Sequence, residues 1–286
     1  MNIDTDNQQL INWYPGHMAK GMREIKENAS IADVFIIVLD ARCPISSYNE
    51  DFDSISPNKP RLFIVTKSDL MDVSKKSAIE KRFGSSMILW LDLRNPKSKN
   101  IIINKLKKIT ADKVAKDKAK GLINSRIKAF VMGIPNAGKS TLINLLSSKK
   151  SLQVANYPGV TRAKKWVVVD NFFFMDTPGI LLPKLNDQYA ATKLAMIGSI
   201  ETSIFPQKFI FTNFLKVMAD YYPQLLKNEF NLSDEELNNL DEIKTYNILT
   251  KIAVLKGYTK NNKHDFNKVY THFINWVRNL KGVTFD

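Results

Sequence analysis

Gly133-Ile134-Pro135-Asn136-Ala137-Gly138-Lys139-Ser140 is the stretch on which the fold turns. It fits the pattern G-x-x-x-x-G-K-[ST], in which glycines let the backbone curl until its N–H groups point at a β-phosphate. Lys139 then sets a cation on the β- and γ-phosphates, and the Ser140 hydroxyl is placed to coordinate Mg²⁺. Ala137, Gly138 and Thr141 complete the expected cradle. The flanks agree: residues 127–132 read as a strand leading in, and Thr141-Leu142-Ile143-Asn144 opens a helix whose N-terminus favours anions.

A phosphate loop does not choose between adenine and guanine, but three further features do. Asp176-Thr177-Pro178-Gly179 follows an apolar strand and fits D-x-x-G, which holds Mg²⁺ through water at Asp176 and meets the γ-phosphate with the Gly179 N–H. Thr161, in Pro158-Gly159-Val160-Thr161, lies between the two motifs, where a switch threonine completes the Mg²⁺ shell. Thr66-Lys67-Ser68-Asp69 ends a strand and resembles the guanine motif N-K-x-D. The Asp69 carboxylate can accept from guanine N1–H and N2–H together, a donor pair that adenine lacks. The Lys67 stem can lie over the purine face. Threonine in place of asparagine at 66 is expected to weaken one supporting hydrogen bond.

The order of these motifs is unusual. Asp69 precedes the phosphate loop, whereas an ordinary GTPase places its guanine motif last. Strands are expected at 34–40, 61–66, 87–92, 127–132, 166–169 and 172–176, the last two joined by the turn Asp170-Asn171. Helices are expected at 18–28, 74–83, 99–119 and 139–147. After about residue 184 the strand signals stop, and 187–200, 209–222, 246–256 and 265–280 read as amphipathic helices, with a capping box at Ser233 and Glu236. The expected fold class is therefore α/β: a circularly permuted P-loop GTPase domain at 1–184, followed by a small all-helical C-terminal domain at 185–286.

Composition narrows the class further. No apolar run approaches the length needed to span a bilayer, so no integral membrane partner is expected. The first twenty residues contain Asp4 and Asp6 and no Arg, which fits neither a signal nor a transit peptide. Cys43 is the one cysteine, which excludes an internal disulfide, suits a reducing cytosol and leaves too few ligands for zinc. The net charge is +14, and half of it sits between Lys97 and Lys120, where nine lysines face only Asp112 and Asp117. Lys149 to Lys165 adds five basic residues and no acidic one. Such stretches are either solvated helix faces or footprints for nucleic acid or an acidic membrane, and charge alone leaves the two even.

With the permuted order, the opening Trp13-Tyr14-Pro15-Gly16-His17-Met18-Ala19-Lys20 and Asp40-Ala41-Arg42-Cys43-Pro44, the chain resembles the ribosome biogenesis GTPase A family over nearly its whole length. The resemblance implies GTP hydrolysis to GDP and phosphate by a bacterial cytoplasmic factor. It also implies a precursor of the large (50S) ribosomal subunit and its rRNA as partners. The expected oligomeric state is monomeric. The alternative from another class is a nucleotide-regulated RNA-binding or membrane-associated switch protein without a ribosome role.

Two positions depart from more familiar patterns. Trp90-Leu91-Asp92-Leu93-Arg94 stands where the family has a small Ser- or Asn-containing loop on the guanine side. Ile180 follows Gly179 where Ras-like enzymes place a glutamine that orients water, and isoleucine cannot polarise water. His17 is the candidate substitute, since imidazole can position or deprotonate water; otherwise it belongs to a turn feeding the next helix. Asn136 stands where some related GTPases bind K⁺, or else only shapes the loop. Asp40 and Arg42 are expected to order the domain through a salt bridge.

Overall fold

A computed structural model describes residues 10–147, 166–181, 185–260 and 263–286. The chain forms two compact units. One draws on Tyr14–Pro183, Lys281–Thr284 and Asp286, the other on Met1–Trp13, Lys184–Leu280 and Phe285.

Among the described residues, the first unit is built on six strands: β1 (Val34–Asp40), β2 (Arg61–Thr66), β3 (Ile88–Leu91), β4 (Ile127–Gly133), β5 (Trp166–Val169) and β6 (Phe172–Asp176). Their order is β3-β2-β1-β4-β6-β5, parallel throughout except for the β5–β6 hairpin at the edge. All seven residues of β1 are buried, as its unbroken apolar run requires of a central strand covered on both faces. Phe130 meets Phe35 of the adjacent strand β1 and Trp166 of β5, two strands away, both edge to face at 5.9 Å between centroids. Read from the opposite edge with numbering started at β4, the order becomes 2-3-1-4-5-6. The sheet is thus that of an unpermuted domain whose chain begins elsewhere.

This topology positions the site. From β1 the chain builds outward to β2 and β3, then returns to lay β4 on the other side of β1. The crevice at the carboxyl ends of β1 and β4 is therefore a topological switch point, where open α/β sheets bind ligands. Asp40 pairs with Thr66 at the ends of β1 and β2, Val38 with Gly133, and Val131 with Asp176. All three motif-bearing ends thus share one rim.

Helices of this unit are α1 (Gly16–Asn28), α2 (Lys76–Phe83), α3 (Lys97–Ile109), α4 (Ala111–Ala119) and α5 (Lys139–Leu146). The single helix expected at 99–119 is two. At Thr110 the backbone leaves helical geometry (φ −99°, ψ 8°) while the side chain donates back to the Leu106 carbonyl at 2.8 Å. This back-bonding offers the backbone an alternative to continued helix. The first of the two also starts earlier than expected, with Asn95 Oδ1 accepting from the Lys97 N–H at 3.0 Å. The segment expected as helix from 74 begins with a 3-10 turn, Val73–Lys75, before α2. Strand β3 is shorter than expected, because Met87 ends another 3-10 turn, Ser85–Met87.

The second unit is helical: α6 (Gln188–Met196), α7 (Gln207–Tyr221), α8 (Pro223–Phe230), α9 (Asp234–Leu237), α10 (Glu242–Leu255) and α11 (Phe266–Arg278). Helix α8 was not expected; Pro223 ends the preceding helix and, at the first helical position, starts the next. The Ser233–Glu236 capping box is present at α9. The region is not purely helical, because β7 (Thr259–Lys260) and β8 (Lys263–His264) form a two-residue antiparallel ladder. An aromatic cluster makes the core, with Phe211 and Phe273 4.7 Å apart and Phe230 against Trp276 at 4.9 Å.

Of the last residues of the chain, Lys281–Thr284 and Asp286 belong to the first unit. Val283 N–H donates to Leu70 O at 3.1 Å, while Thr284 Oγ1 donates to Ala41 O at 3.0 Å and accepts from Asp72 N–H at 3.1 Å. Asp286 takes the Ile45 and Ser46 N–H groups at 2.7 and 2.9 Å. Thr284 is fully buried, so Thr284→Val removes its hydrogen bonds to the Asp72 N–H and the Ala41 carbonyl. The expected loss is about 1–3 kcal/mol of stability. Urea unfolding measures it, and a wild-type midpoint would show that the strap carries no stability.

Candidate functional site

The phosphate loop joins the buried end of β4 to α5. Asn136 holds a left-handed backbone (φ 58°) and Gly138 caps α5 at φ 101°, which gives the loop its curl. Lys139 is 7% exposed and its Nζ donates to Ile134 O at 2.7 Å, so the ammonium folds back onto its own loop. Burial pushes Lys139 down to about 8, opposed by the carboxylate of Asp176. Ser140 and Thr141 are exposed on the first turn of α5.

The guanine loop is tied to the phosphate loop by side chains. Thr66 Oγ1 lies 2.6 Å from Ala137 O and 3.1 Å from Leu39 O. A hydroxyl has one proton, so the shorter contact to the phosphate loop is the better hydrogen bond. Threonine at this position thus makes its own link, where sequence alone suggested a weakened one. Lys67, left-handed at φ 56°, extends Nζ to Asn136 O at 2.8 Å and to Asp40 Oδ2 at 2.6 Å. Asp40 in turn takes Arg42 as a fork, Nε to Oδ1 at 3.0 Å and Nη2 to Oδ2 at 2.9 Å. Burial alone would raise the Asp40 carboxyl, but Arg42 and Lys67 together hold it below the ordinary carboxylate range. The expected Asp40–Arg42 bridge is present, and Lys67 is its third member.

The D-x-x-G segment lies against the phosphate loop. A Cβ on Gly179 would sit 2.7 Å from both Cα and N of Pro135, so only glycine permits this approach. Ile180 is fully buried and its N–H donates to Gly133 O at 3.1 Å. Thr177 Oγ1 anchors to Val131 O at 2.7 Å. Asp176 is exposed at the end of β6; desolvation raises its carboxyl, and Lys139 opposes the rise.

Helix α1 packs on the same segment: a Cβ on Gly21 would meet Pro178 Cβ and Cγ at 3.1 Å and Ile180 Cδ1 at 3.4 Å. His17 stands one turn before Gly21 on that side of the helix and is exposed. Thr161 lies outside the described residues, as do Arg162, Lys164 and Lys165. Asp69 is brought to Arg94, whose Nη2 donates to Asp69 Oδ2 at 2.6 Å, a contact that no motif announces. The strap residues Val283 and Thr284, bonded to Leu70, Asp72 and Ala41, were equally invisible, since nothing local in the sequence signals a tail-to-loop pairing.

Mg²⁺ in such a site is held by one or two protein oxygens and the phosphates rather than by a protein cage. Ser140 and Asp176 fit that donor set. No group of three or more His, Cys, Asp or Glu side chains able to hold a metal occurs among the described residues. Nor is any described helix long and apolar enough to cross a membrane.

A family model described as a 50S ribosome-binding GTPase matches residues 128–251. The ribosome biogenesis GTPase A of Bacillus licheniformis is 38% identical over 240 residues, 82% of this chain and 85% of its own. A probable ribosome biogenesis GTPase A of Mycoplasma genitalium is 32% identical over 282 residues, 98% of this chain and 97% of its own. In fold, the chain is similar to the crystal structure of GNP-bound YlqF from T. maritima, with a TM-score of 0.62 at 20% identity, covering 93% of this chain and 97% of that one.

The lowered Lys139 gives the site a pH signature. A bound phosphate favours the charged ammonium, so the complex takes up protons and nucleotide affinity falls as pH rises through about 8. On folding the sign is reversed: the unfolded chain holds this proton more tightly. The group's destabilisation is thus full below pH 8 and relieved as pH climbs toward the ordinary lysine value. GDP titrations at a series of pH values test it; an affinity unchanged across that range would show that Lys139 does not meet the phosphates.

Proposed function

The chain belongs to the ribosome biogenesis GTPase A family, and we propose that it assembles the large (50S) ribosomal subunit by binding its precursor and rRNA in the GTP state. It is a GTPase acting in ribosome biogenesis, converting GTP and water to GDP and phosphate. The proposed setting is the cytoplasm and the proposed acting form a monomer.

The observation that carries the switch reading is the seating of Gly179 and Ile180 on Pro135 and Gly133. A segment that senses the γ-phosphate must touch the loop that holds the β-phosphate, and here the contact is too close for any side chain at 179. Thr66, Lys67 and Asp69 are assigned to guanine, with Lys67 also bracing the loop at Asn136. Backbone N–H groups of Asn136 to Thr141 and the Lys139 ammonium are assigned to the phosphates, where they counter the charge that builds on the leaving β-oxygens. Ser140, Asp176 and Thr161 are assigned to Mg²⁺, which when bound spreads positive charge across the β- and γ-phosphates. Asn136 is the residue assigned to K⁺.

Water activation falls to His17. Ile180 is buried and apolar, so it shields the phosphate rather than orienting water. The packing of α1 on Pro178 and Ile180 supports His17 as the replacement, because it holds the imidazole on the helix that covers this segment. The exposed lysines of α3 and α4 supply phosphate-binding charge for rRNA.

Co-sedimentation with large ribosomal subunits tests the reading: binding should be stronger with a non-hydrolysable GTP analogue than with GDP, and should fall with salt. Equal, salt-insensitive binding would contradict it. His17→Ala should keep GTP binding and lower subunit-stimulated hydrolysis on the order of a hundredfold, the usual cost of a lost orienting hydrogen bond. Single-turnover assays with and without subunits measure this, and a normal stimulated rate would return His17 to a structural role.

A further inference from the structure

Beyond β3, where the family's small guanine-side loop would stand, the chain makes a tight turn at Asp92. Asp92 Oδ1 accepts from the Arg94 N–H at 2.9 Å, and Asn95 N–H donates to Asp92 O at 3.1 Å. The Arg94 side chain folds back over the same carboxylate, Nε to Oδ1 and Nη2 to Oδ2, both at 3.0 Å. This fork fixes the guanidinium plane. The second Nη2 hydrogen points to Asp69 Oδ2 at 2.6 Å.

Stability does not account for this arrangement. The Arg94 side chain is 71% exposed, and exposed ion pairs contribute little. What the arrangement does is orient Asp69. A carboxylate that must accept two parallel N–H groups from guanine has to present its plane at one rotation, and a free aspartate end is broad about that torsion. Arg94 occupies one lone pair of Oδ2 and leaves the second lone pair and both of Oδ1 for the base. Register supports the placement: Thr66 pairs with Leu91, so the turn at Asp92 and the loop carrying Asp69 leave adjacent strand ends.

We propose that Arg94, clamped by Asp92, is a positioning residue for guanine specificity, holding the Asp69 carboxylate square to the N1–H and N2–H edge of the base. The proposal rests on the assignment of Asp69 to guanine and deepens it.

The test compares GDP with IDP, which lacks the 2-amino group, in equilibrium titrations of the full chain. Arg94→Ala should weaken GDP binding about tenfold, the cost of a misaligned charged hydrogen-bond pair, while weakening IDP less. The GDP:IDP preference therefore shrinks, a readout that a merely structural role would leave unmoved. Arg94→Lys should recover part of the preference, since it can reach Asp69 but not fork on Asp92, and Asp92→Asn should lose part of it. An unchanged preference in Arg94→Ala overturns the proposal, as does tighter GDP binding, which would make Arg94 an occupant that guanine displaces. Asp69→Asn separates the two layers: if it leaves GDP affinity intact, the guanine assignment and the proposal fall together; if it lowers GDP affinity while Arg94→Ala does nothing, the proposal alone fails.

Discussion

A single buried carboxylate, Asp40, holds the two halves of the nucleotide site together. It lies at the end of β1, fully enclosed, and its charge survives because Arg42 and Lys67 both reach it. Lys67 then continues to Asn136 O, and its neighbour Thr66 reaches Ala137 O. The loop proposed to read the base and the phosphate loop are thereby one hydrogen-bonded body. Removing one partner of such a buried network leaves the rest uncompensated, which is why it acts as a unit.

The permutation gives this network a particular setting. In the unpermuted order the guanine loop comes late in the domain, after the switch segment. Here it comes early, and β6 is the last strand of the six-stranded sheet in chain order. The site survives because it is assembled in space by strand ends on one rim. The guanine loop gains a second support in exchange: the strap at Val283 and Thr284 bonds to Leu70, Asp72 and Ala41 from the other end of the chain. Residues more than 200 positions apart in the chain thus meet beside the same loop.

Much of this was legible beforehand, and the exceptions have physical causes. β1, β2, β5 and β6 run over the expected residues, because buried parallel strands and a turn-bounded hairpin write continuous or bounded apolar runs. The phosphate loop and D-x-x-G were legible because backbone chemistry at phosphates demands particular residue types at set spacing. The break at Thr110 was not, since one back-bonding threonine inside a helical pattern is usually tolerated. Helix α8 escaped because Pro223, which ends one helix, also opens the next. Arg94 and the strap escaped for a different reason. Their partners are distant in sequence, and neither an arginine in a turn nor a threonine near a terminus carries a local signal of what it will meet.

If the two loops are one hydrogen-bonded body, Asp40 and Lys67 are energetically coupled, and a double-mutant cycle on GDP affinity measures that coupling. Asp40→Asn, Lys67→Met and the double variant are titrated with GDP after each is shown to unfold cooperatively. If Lys67 acts through Asp40, the double variant loses no more affinity than the worse single one. Losses that simply multiply would mean that the two residues work independently, and that the base and phosphate loops are neighbours rather than one device.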